Sequence, residues 1–400
     1  MRRLKSPLSS LTLRRLLAGA ATAAMLAGGA QAFDTSARTA FVLDYTTGTV
    51  LMAKDADKAV PPASMSKLMT LYMAFEAIRD GRLKLDETLP VSEHAMSYGG
   101  STMFLDTTDR VKVEDLLRGI IVLSGNDACA VIAEALSPNG TEAGFADLMT
   151  RRAQQLGMTS SSFANASGWP AQGHVMSMRD LTLLARHIIE DFPEFYPIFS
   201  ERRFEFDGRA PQNVNNRNPL LRLDIGADGL KTGHTSEAGY GLVGSAKQGD
   251  RRVIFAIAGL DSERARAEES EAIVNWAFRQ FAERKLVEKG KEVARAEVFL
   301  GNKETVGLVA RDDIEMLIPV TPGTELGAEV VYTGPLQAPI TAGQQLAELI
   351  ITPEGLPEHR VPLFAAEDVP SGGFVKRMMV VSTNLIGRLQ TPAATSAEAM

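Results

Sequence analysis

The chain reads as an α/β protein in which a helical block is inserted into one sheet, followed by a small all-β domain and a C-terminal amphipathic helix. Three patterns carry this reading. Strand signals at 41–51 and again at 239–259 flank a long stretch of helical periodicity between 64 and 190. Beyond residue 284 the texture changes to short apolar runs separated by Gly and Pro. Finally, apolar residues recur at 374, 378, 381, 385 and 389, the spacing of a single helical stripe.

Taken in order, residues 1–32 read as an export signal. Arg2, Arg3, Lys5, Arg14 and Arg15 lead into the small-residue apolar run Leu16–Ala30, which ends in Ala30-Gln31-Ala32. Residues 33–283 form the expected α/β domain. Phe41–Leu51 predicts a hairpin at a sheet edge, turning at Thr47-Gly48. From Ser64 the pattern is helical through Leu68, Met69, Tyr72, Met73 and Phe75, stopping at Asp80-Gly81. Further helices are expected at Val113–Leu123, Asp127–Leu136, Gly144–Leu156 and Met178–Glu190. Strands return at Gly239–Ala246 and Val253–Gly259, before an amphipathic helix carrying Val274, Trp276, Phe278 and Phe281. Arg284–Lys291 reads as a charged link into the all-β domain, 284–370, with strands at Ala296–Leu300, Ile314–Val320, Ala328–Tyr332 and Leu346–Ile351. Residues 371–400 are the terminal helix and tail. Phe374–Leu389 spans about 24 Å as a helix, too short to cross a bilayer, and its stripe with flanking Lys376, Arg377 and Arg388 suits a membrane interface. Packing on the β domain is the other reading of that stripe.

Charge and composition narrow the function. The formal net charge is −7, and removing the five basic residues of the signal leaves −12, which disfavours a nucleic-acid partner. Cys129 is the single cysteine, so no internal disulfide is expected, and small buried packing is its expected role. The five histidines show no metal-ligand spacing, and neither a metal nor another cofactor is expected.

Three motifs occur once each: Ser64-Met65-Ser66-Lys67, Ser124-Gly125-Asn126 and Lys231-Thr232-Gly233. Positions i and i+3 share a helix face, so Ser64 and Lys67 sit side by side. Serine is a weak nucleophile that needs a base, and lysine serves if burial or a second cation, for which Lys231 is the candidate, lowers its pKa. Ser124 sits at a turn between two predicted helices, where its hydroxyl can relay a proton and Asn126 can bind a substrate amide. Lys231-Thr232-Gly233 lies just ahead of a predicted strand: glycine allows close backbone approach, and the lysine and threonine offer a charge and a hydroxyl to a carboxylate. Each motif also has a plain reading, as helix cap, turn or solvated loop.

In their longer forms, Pro62-Ala63-Ser64-Met65-Ser66-Lys67-Leu68-Met69-Thr70, Ser124–Cys129 and Asp228–Thr235, the motifs resemble the low-molecular-mass penicillin-binding proteins of the type-5 group, the D-alanyl-D-alanine carboxypeptidases. The resemblance implies a β-lactamase/transpeptidase-like catalytic domain, a peptidoglycan stem-peptide substrate, and acylation of Ser64 by β-lactams. It further implies Lys67 as general base, Ser124 as proton relay, Asn126 and Gly233 as substrate contacts, Lys231 with Thr232 as the carboxylate clamp, and the backbone N–H groups of Ser64 and His234 as oxyanion hole. Arg217 and Arg266 resemble arginines near the carboxylate pocket, with surface salt bridging as the alternative for both. Trp169, in the loop Asn165-Ala166-Ser167-Gly168-Trp169, stands where the resemblance leads one to expect a leucine-like residue. The implied location is the periplasm, at the outer face of the inner membrane. The rival readings are a β-lactamase, a D,D-endopeptidase on the same fold, and a non-catalytic wall scaffold.

Overall fold

The structure is a computed structural model that describes residues 2–5, 33–209, 212–320, 326–353, 356 and 358–373. Residues 6–32, most of the segment expected to be an export signal, and the run 374–400, on which the terminal helix is expected, lie outside the described residues. Residues Ala32–Gln280 form one unit; the chain from Phe281 belongs to a second, which the strand Arg2–Lys5 joins by pairing antiparallel with Gly327–Tyr332.

The first unit is built on a five-stranded antiparallel sheet. Strands β1 (Thr39–Asp44) and β2 (Val50–Lys54) make the predicted edge hairpin; β3 (Ala227–Thr235), β4 (Gly239–Gln248) and β5 (Arg251–Leu260) come after the helical block, in the order β2-β1-β5-β4-β3. Thr39 to Asp44 run in register against Ala258 to Val253, so the two sequence ends of the unit are neighbours in one sheet. Alternate residues of a strand face opposite sides. Ile254, Ala256 and Ala258 join the core of the helical block, while Val253, Phe255 and Ile257 are equally buried on the other set.

The helical block comprises α1 (Lys67–Arg79), α2 (Val113–Arg118), α3 (Asn126–Leu136), α4 (Glu142–Gln155) and α5 (Met178–Asp191). Helix α1 is apolar nearly all round: Leu68, Met69, Leu71, Tyr72, Ala74 and Phe75 are all buried, as a central helix requires. α5 packs against β1 and β5, and α6 (Glu263–Arg279) along β4 and β5. Ser92, Thr141, Ser177 and Ser262 each cap a helix by accepting a backbone N–H with the side chain, which sets where those helices start.

Two elements depart from expectation. The predicted helix Val113–Leu123 breaks at Arg118 into a π-helical turn, Gly119–Leu123, which ends at Ser124 in the left-handed conformation, φ 63°. Strand β3 was not anticipated, because Gly229, Lys231 and Gly233 weaken its strand signal; Lys231-Thr232-Gly233 lies within the strand and not ahead of it.

In the second unit, β6 (Phe281–Val287) pairs with β9 (Ile314–Pro319) as a two-stranded ribbon. Arg284 and Lys285, the start of the charged run that suggested a link, are exposed in the middle of β6, and Lys285 lies opposite Glu315 and pairs with Asp313. The unit therefore begins three residues before the expected boundary at 284. β7 (Glu292–Phe299), β8 (Thr305–Val309), β10 (Gly327–Tyr332), β11 (Gln345–Thr352) and β12 (His359–Ala365) build the larger sheet over a core that includes Val306, Leu308, Leu349 and Leu363.

Candidate active site

Ser64 lies in a tight 3-10 turn, Ala63–Ser66, that runs directly into α1. The turn is held from both sides. A side chain at Gly168, φ 80°, would put its Cβ 1.9 Å from the Ala63 carbonyl oxygen, and one at Gly233 would lie 2.9 Å from the Pro62 oxygen. Glycine is required at both points for the loop and the strand to approach so closely.

Lys67 is wholly buried, and all three of its N–H groups have acceptors: Ser64 Oγ at 2.9 Å, Asn126 Oδ1 at 2.7 Å and the Ser167 carbonyl at 2.5 Å. Burial brings its pKa down to about 8, with the Arg217 charge acting in the same direction and Asp127 and Glu142 opposing. Arg217 is thus one cation acting on Lys67, and Lys231, the expected one, acts on it as well, since each ammonium disfavours the charge of the other. An amine with that pKa is partly neutral near pH 8 and can take the Ser64 proton.

The π turn and the left-handed backbone at Ser124 aim its hydroxyl at β3, where it accepts from Lys231 Nζ at 2.9 Å. Lys231 is buried, and its pKa is pushed well below the ordinary lysine value by burial, then by Lys67 and Arg217. Asn126 opens α3 with its amide already engaged: Oδ1 accepts from Lys67, and Nδ2 donates to the Gly99 carbonyl at 2.8 Å. It therefore orients the lysine as well as lining the cleft.

Because β3 is the sheet edge among the described residues, its outward backbone N–H and C=O groups beyond Gly229, whose carbonyl accepts from Asn218, can pair with an extended ligand. Thr232 is buried beside Lys231. The His234 ring is exposed and stacks on Tyr240 at 3.8 Å. Arg217 donates to Ser101 Oγ at 2.6 Å and to Asn213 Oδ1, and has no carboxylate partner among the described residues. Arg266 is buried, pairs with Glu263 and lies over the Tyr240 ring. Arg217 does not fit the surface-salt-bridge alternative, whereas Arg266 is salt-bridged to the exposed Glu263; both lower the pKa of Lys231.

Several supporting residues escaped the sequence. The Ser167 carbonyl on Lys67 is a loop backbone group, which no residue pattern reveals. Glu142 in the first turn of α4 looks like an ordinary helix-start carboxylate. It is buried, accepts from the Ala166 N–H at 2.8 Å and the Tyr98 hydroxyl at 2.7 Å, and lies 2.7 Å from His94 Nε2. Cys129 is buried as expected, and burial raises its thiol to about 12. Among the described residues, no group of three or more His, Cys, Asp or Glu side chains is placed to hold a metal ion.

A serine bonded to a buried, pKa-lowered lysine, beside a cationic sheet edge, defines the class of active-site-serine acyl-transferring enzymes. Residues 25–262 match the family described as D-alanyl-D-alanine carboxypeptidase, and 281–371 match the C-terminal domain of penicillin-binding protein 5. The chain is 35% identical over 385 residues to D-alanyl-D-alanine carboxypeptidase DacC of Escherichia coli, covering 92% of this chain and 95% of that one. Penicillin-binding protein 5 from Haemophilus influenzae superimposes with a TM-score of 0.67 at 34% identity, over 84% of this chain and 98% of that one. Penicillin-binding protein D2 from Listeria monocytogenes, in its ampicillin-bound form, gives 0.55 at 32% identity over 61% and 98%. The chain belongs to the D-alanyl-D-alanine carboxypeptidase family, and its fold is a transpeptidase-like α/β domain followed by an all-β domain.

Proposed function

We propose that this chain is a serine-type D-alanyl-D-alanine carboxypeptidase that removes the terminal D-alanine of peptidoglycan stem pentapeptides through an ester on Ser64, and that penicillins acylate the same oxygen. The observation that carries this is the 2.9 Å contact of Ser64 Oγ with buried Lys67, whose pKa is near 8. Lys67, as the neutral amine, takes the hydroxyl proton while Ser64 Oγ attacks the carbonyl of the penultimate D-alanine. The backbone N–H groups of Ser64 and His234 receive the oxyanion. Ser124 passes a proton to the departing amine, and water then hydrolyses the ester. Lys231, Thr232 and Arg217 hold the terminal carboxylate, with Arg266 adding charge behind them, and Asn126 and the Gly233 backbone contact the peptide.

Support for the relay comes from the Lys231–Ser124 contact, and for the clamp from Arg217, which has no carboxylate partner among the described residues. The β-lactamase alternative requires a carboxylate to activate the deacylating water. Loop 165–169 contains none, and Glu142 is already engaged by Ala166, Tyr98 and His94. Cleavage of cross-links, the endopeptidase reading, uses the same chemistry and is separated by assaying cross-linked dimers.

The exported, periplasmic location rests on the N-terminal residues 1–32, and attachment to the membrane surface on the stripe 374–389. Among the described residues no helix is long and apolar enough to cross a membrane. The test is incubation with a diacyl-D-alanyl-D-alanine peptide and with labelled penicillin, followed by mapping of the label. We expect the label on Ser64, D-alanine release, and loss of both in Ser64→Ala. A label elsewhere, or D-alanine release by Ser64→Ala, overturns the mechanism, and release lost with the cellular role retained supports the scaffold reading.

A further inference from the structure

The Ser167 carbonyl that accepts from Lys67 is a loop group, and what fixes it lies one residue back. Ala166 is held at both ends of its backbone: its N–H donates to Glu142 Oε1 at 2.8 Å, and its carbonyl accepts from Thr70 Oγ1 at 2.7 Å. Thr70 is on α1, one turn after Lys67, and Glu142 opens α4. A line of contacts therefore runs from Glu142 through Ala166 and Ser167 to Lys67 Nζ, its last link 2.5 Å long. Glu142 is itself locked. Its other oxygen accepts from the Tyr98 hydroxyl at 2.7 Å and lies 2.7 Å from His94 Nε2, and the two rings meet edge-on at 5.5 Å. Burial, then the charge of Glu142, raises the Tyr98 phenol, which keeps it a donor. Both carboxylate oxygens are thus in use, whereas an amide at this position would offer one acceptor oxygen.

The same carboxylate acts on Lys67 through its charge. The three acceptors on Lys67 are a hydroxyl, an amide oxygen and a carbonyl, so no carboxylate touches it among the described residues. Burial lowers its pKa, Arg217 and Lys231 act in the same direction, and Cys129, Asp127 and Glu142 oppose them. The Cys129 thiol, pushed up to about 12 by burial, is uncharged where Lys67 titrates. Asp127 is occupied by the backbone N–H groups of Met103, Leu105 and Ala128, and burial raises its carboxyl against them. Glu142 is then one of two anions that keep the proton on Lys67, and the one of the two that also holds the loop carrying an acceptor for it.

We propose that Glu142 is a positioning residue for acyl transfer, holding the Ser167 carbonyl on Lys67 through Ala166 and setting, by its charge, the pH at which Lys67 becomes the base. The proposal rests on the carboxypeptidase reading, with Lys67 as base, and adds a residue that touches neither Ser64 nor Lys67. The test is the rate of Ser64 acylation by labelled penicillin between pH 6 and 10 in two variants, with complete end-point labelling reporting an intact fold. Glu142→Gln removes the charge, so its inflection should lie about half a pH unit lower than that of the unmodified enzyme, with a plateau about tenfold lower. Glu142→Asp keeps the charge on a side chain one methylene shorter; its inflection should stay in place while its plateau falls. An unmoved inflection in Glu142→Gln reduces Glu142 to a structural group and overturns the assignment, as does a full plateau in Glu142→Asp, the variant that decides if Glu142→Gln does not fold. Either result leaves the carboxypeptidase standing. A flat profile in the unmodified enzyme overturns Lys67 as base and the assignment with it.

Discussion

Lys67 must be neutral to act as a base, and its position between Ser64, Asn126 and Ser167 sets the pH at which it becomes so. With a pKa of about 8, the second-order rate of Ser64 acylation should rise with pH and level off above it, an inflection that stopped-flow acylation between pH 6 and 10 would reveal. A flat profile over that range would count against the lysine as base. The same shift makes a stability prediction. The folded pKa lies below the ordinary lysine value of 10.5, so between about 8 and 10.5 the unfolded chain binds more protons. The Lys67 contribution therefore increases stability as pH rises through that window and is level below it. The residue types of this site were legible: Ser64, Lys67, Ser124, Asn126, Lys231 and Thr232 all come together. What the sequence left out was Arg217, whose charge acts on Lys67 beside that of Lys231, while the Ser124 hydroxyl is bonded to Lys231.

Three elements meet at the loop 165–169, and their junction can be broken at either of two positions. In Gly168→Ala the new methyl collides with the Ala63 carbonyl on a backbone that L residues avoid. We expect a loss of about 1–3 kcal/mol in stability and at least a roughly tenfold slower acylation, because the Ser167 carbonyl no longer holds Lys67 in place. Replacing Glu142 by Ala strands the Ala166 N–H and the Tyr98 hydroxyl, at a cost of about 2–4 kcal/mol measurable by urea denaturation. An unchanged midpoint would show that other groups or water satisfy these donors. At this scale the amphipathic helices and the hairpin were predictable from periodicity. The π turn before Ser124 and strand β3 were not, because a strained turn and a glycine-rich edge strand are stabilised by what packs against them and not by local propensity.

Each unit has an apolar core of its own among the described residues, one running from Phe41 to Ala258 in the first and one from Val287 to Val369 in the second. A chain ending at Gln280 should therefore still fold and take a penicillin label on Ser64, as gel fluorography would show; an unlabelled, aggregated product would make the second unit necessary for folding. Deleting residues 374–400 should move the protein to the soluble fraction without loss of labelling, and unchanged membrane association would argue against the terminal stripe as anchor. By itself, the sequence determined the kinds of chemistry available: nucleophile and base three residues apart on one helical face, a hydroxyl at a turn, and a cation followed by glycine. Those are local facts, set by spacing and side-chain type. Only the tertiary structure decided which groups meet, because the contacts that tune the site join Lys67 to Asn126 across 59 positions, Lys67 to Ser167 across 100 and Lys231 to Ser124 across 107. Such contacts depend on how the helical block and the sheet edge bury one another, and burial is what brings a lysine into the range where it can act as a base.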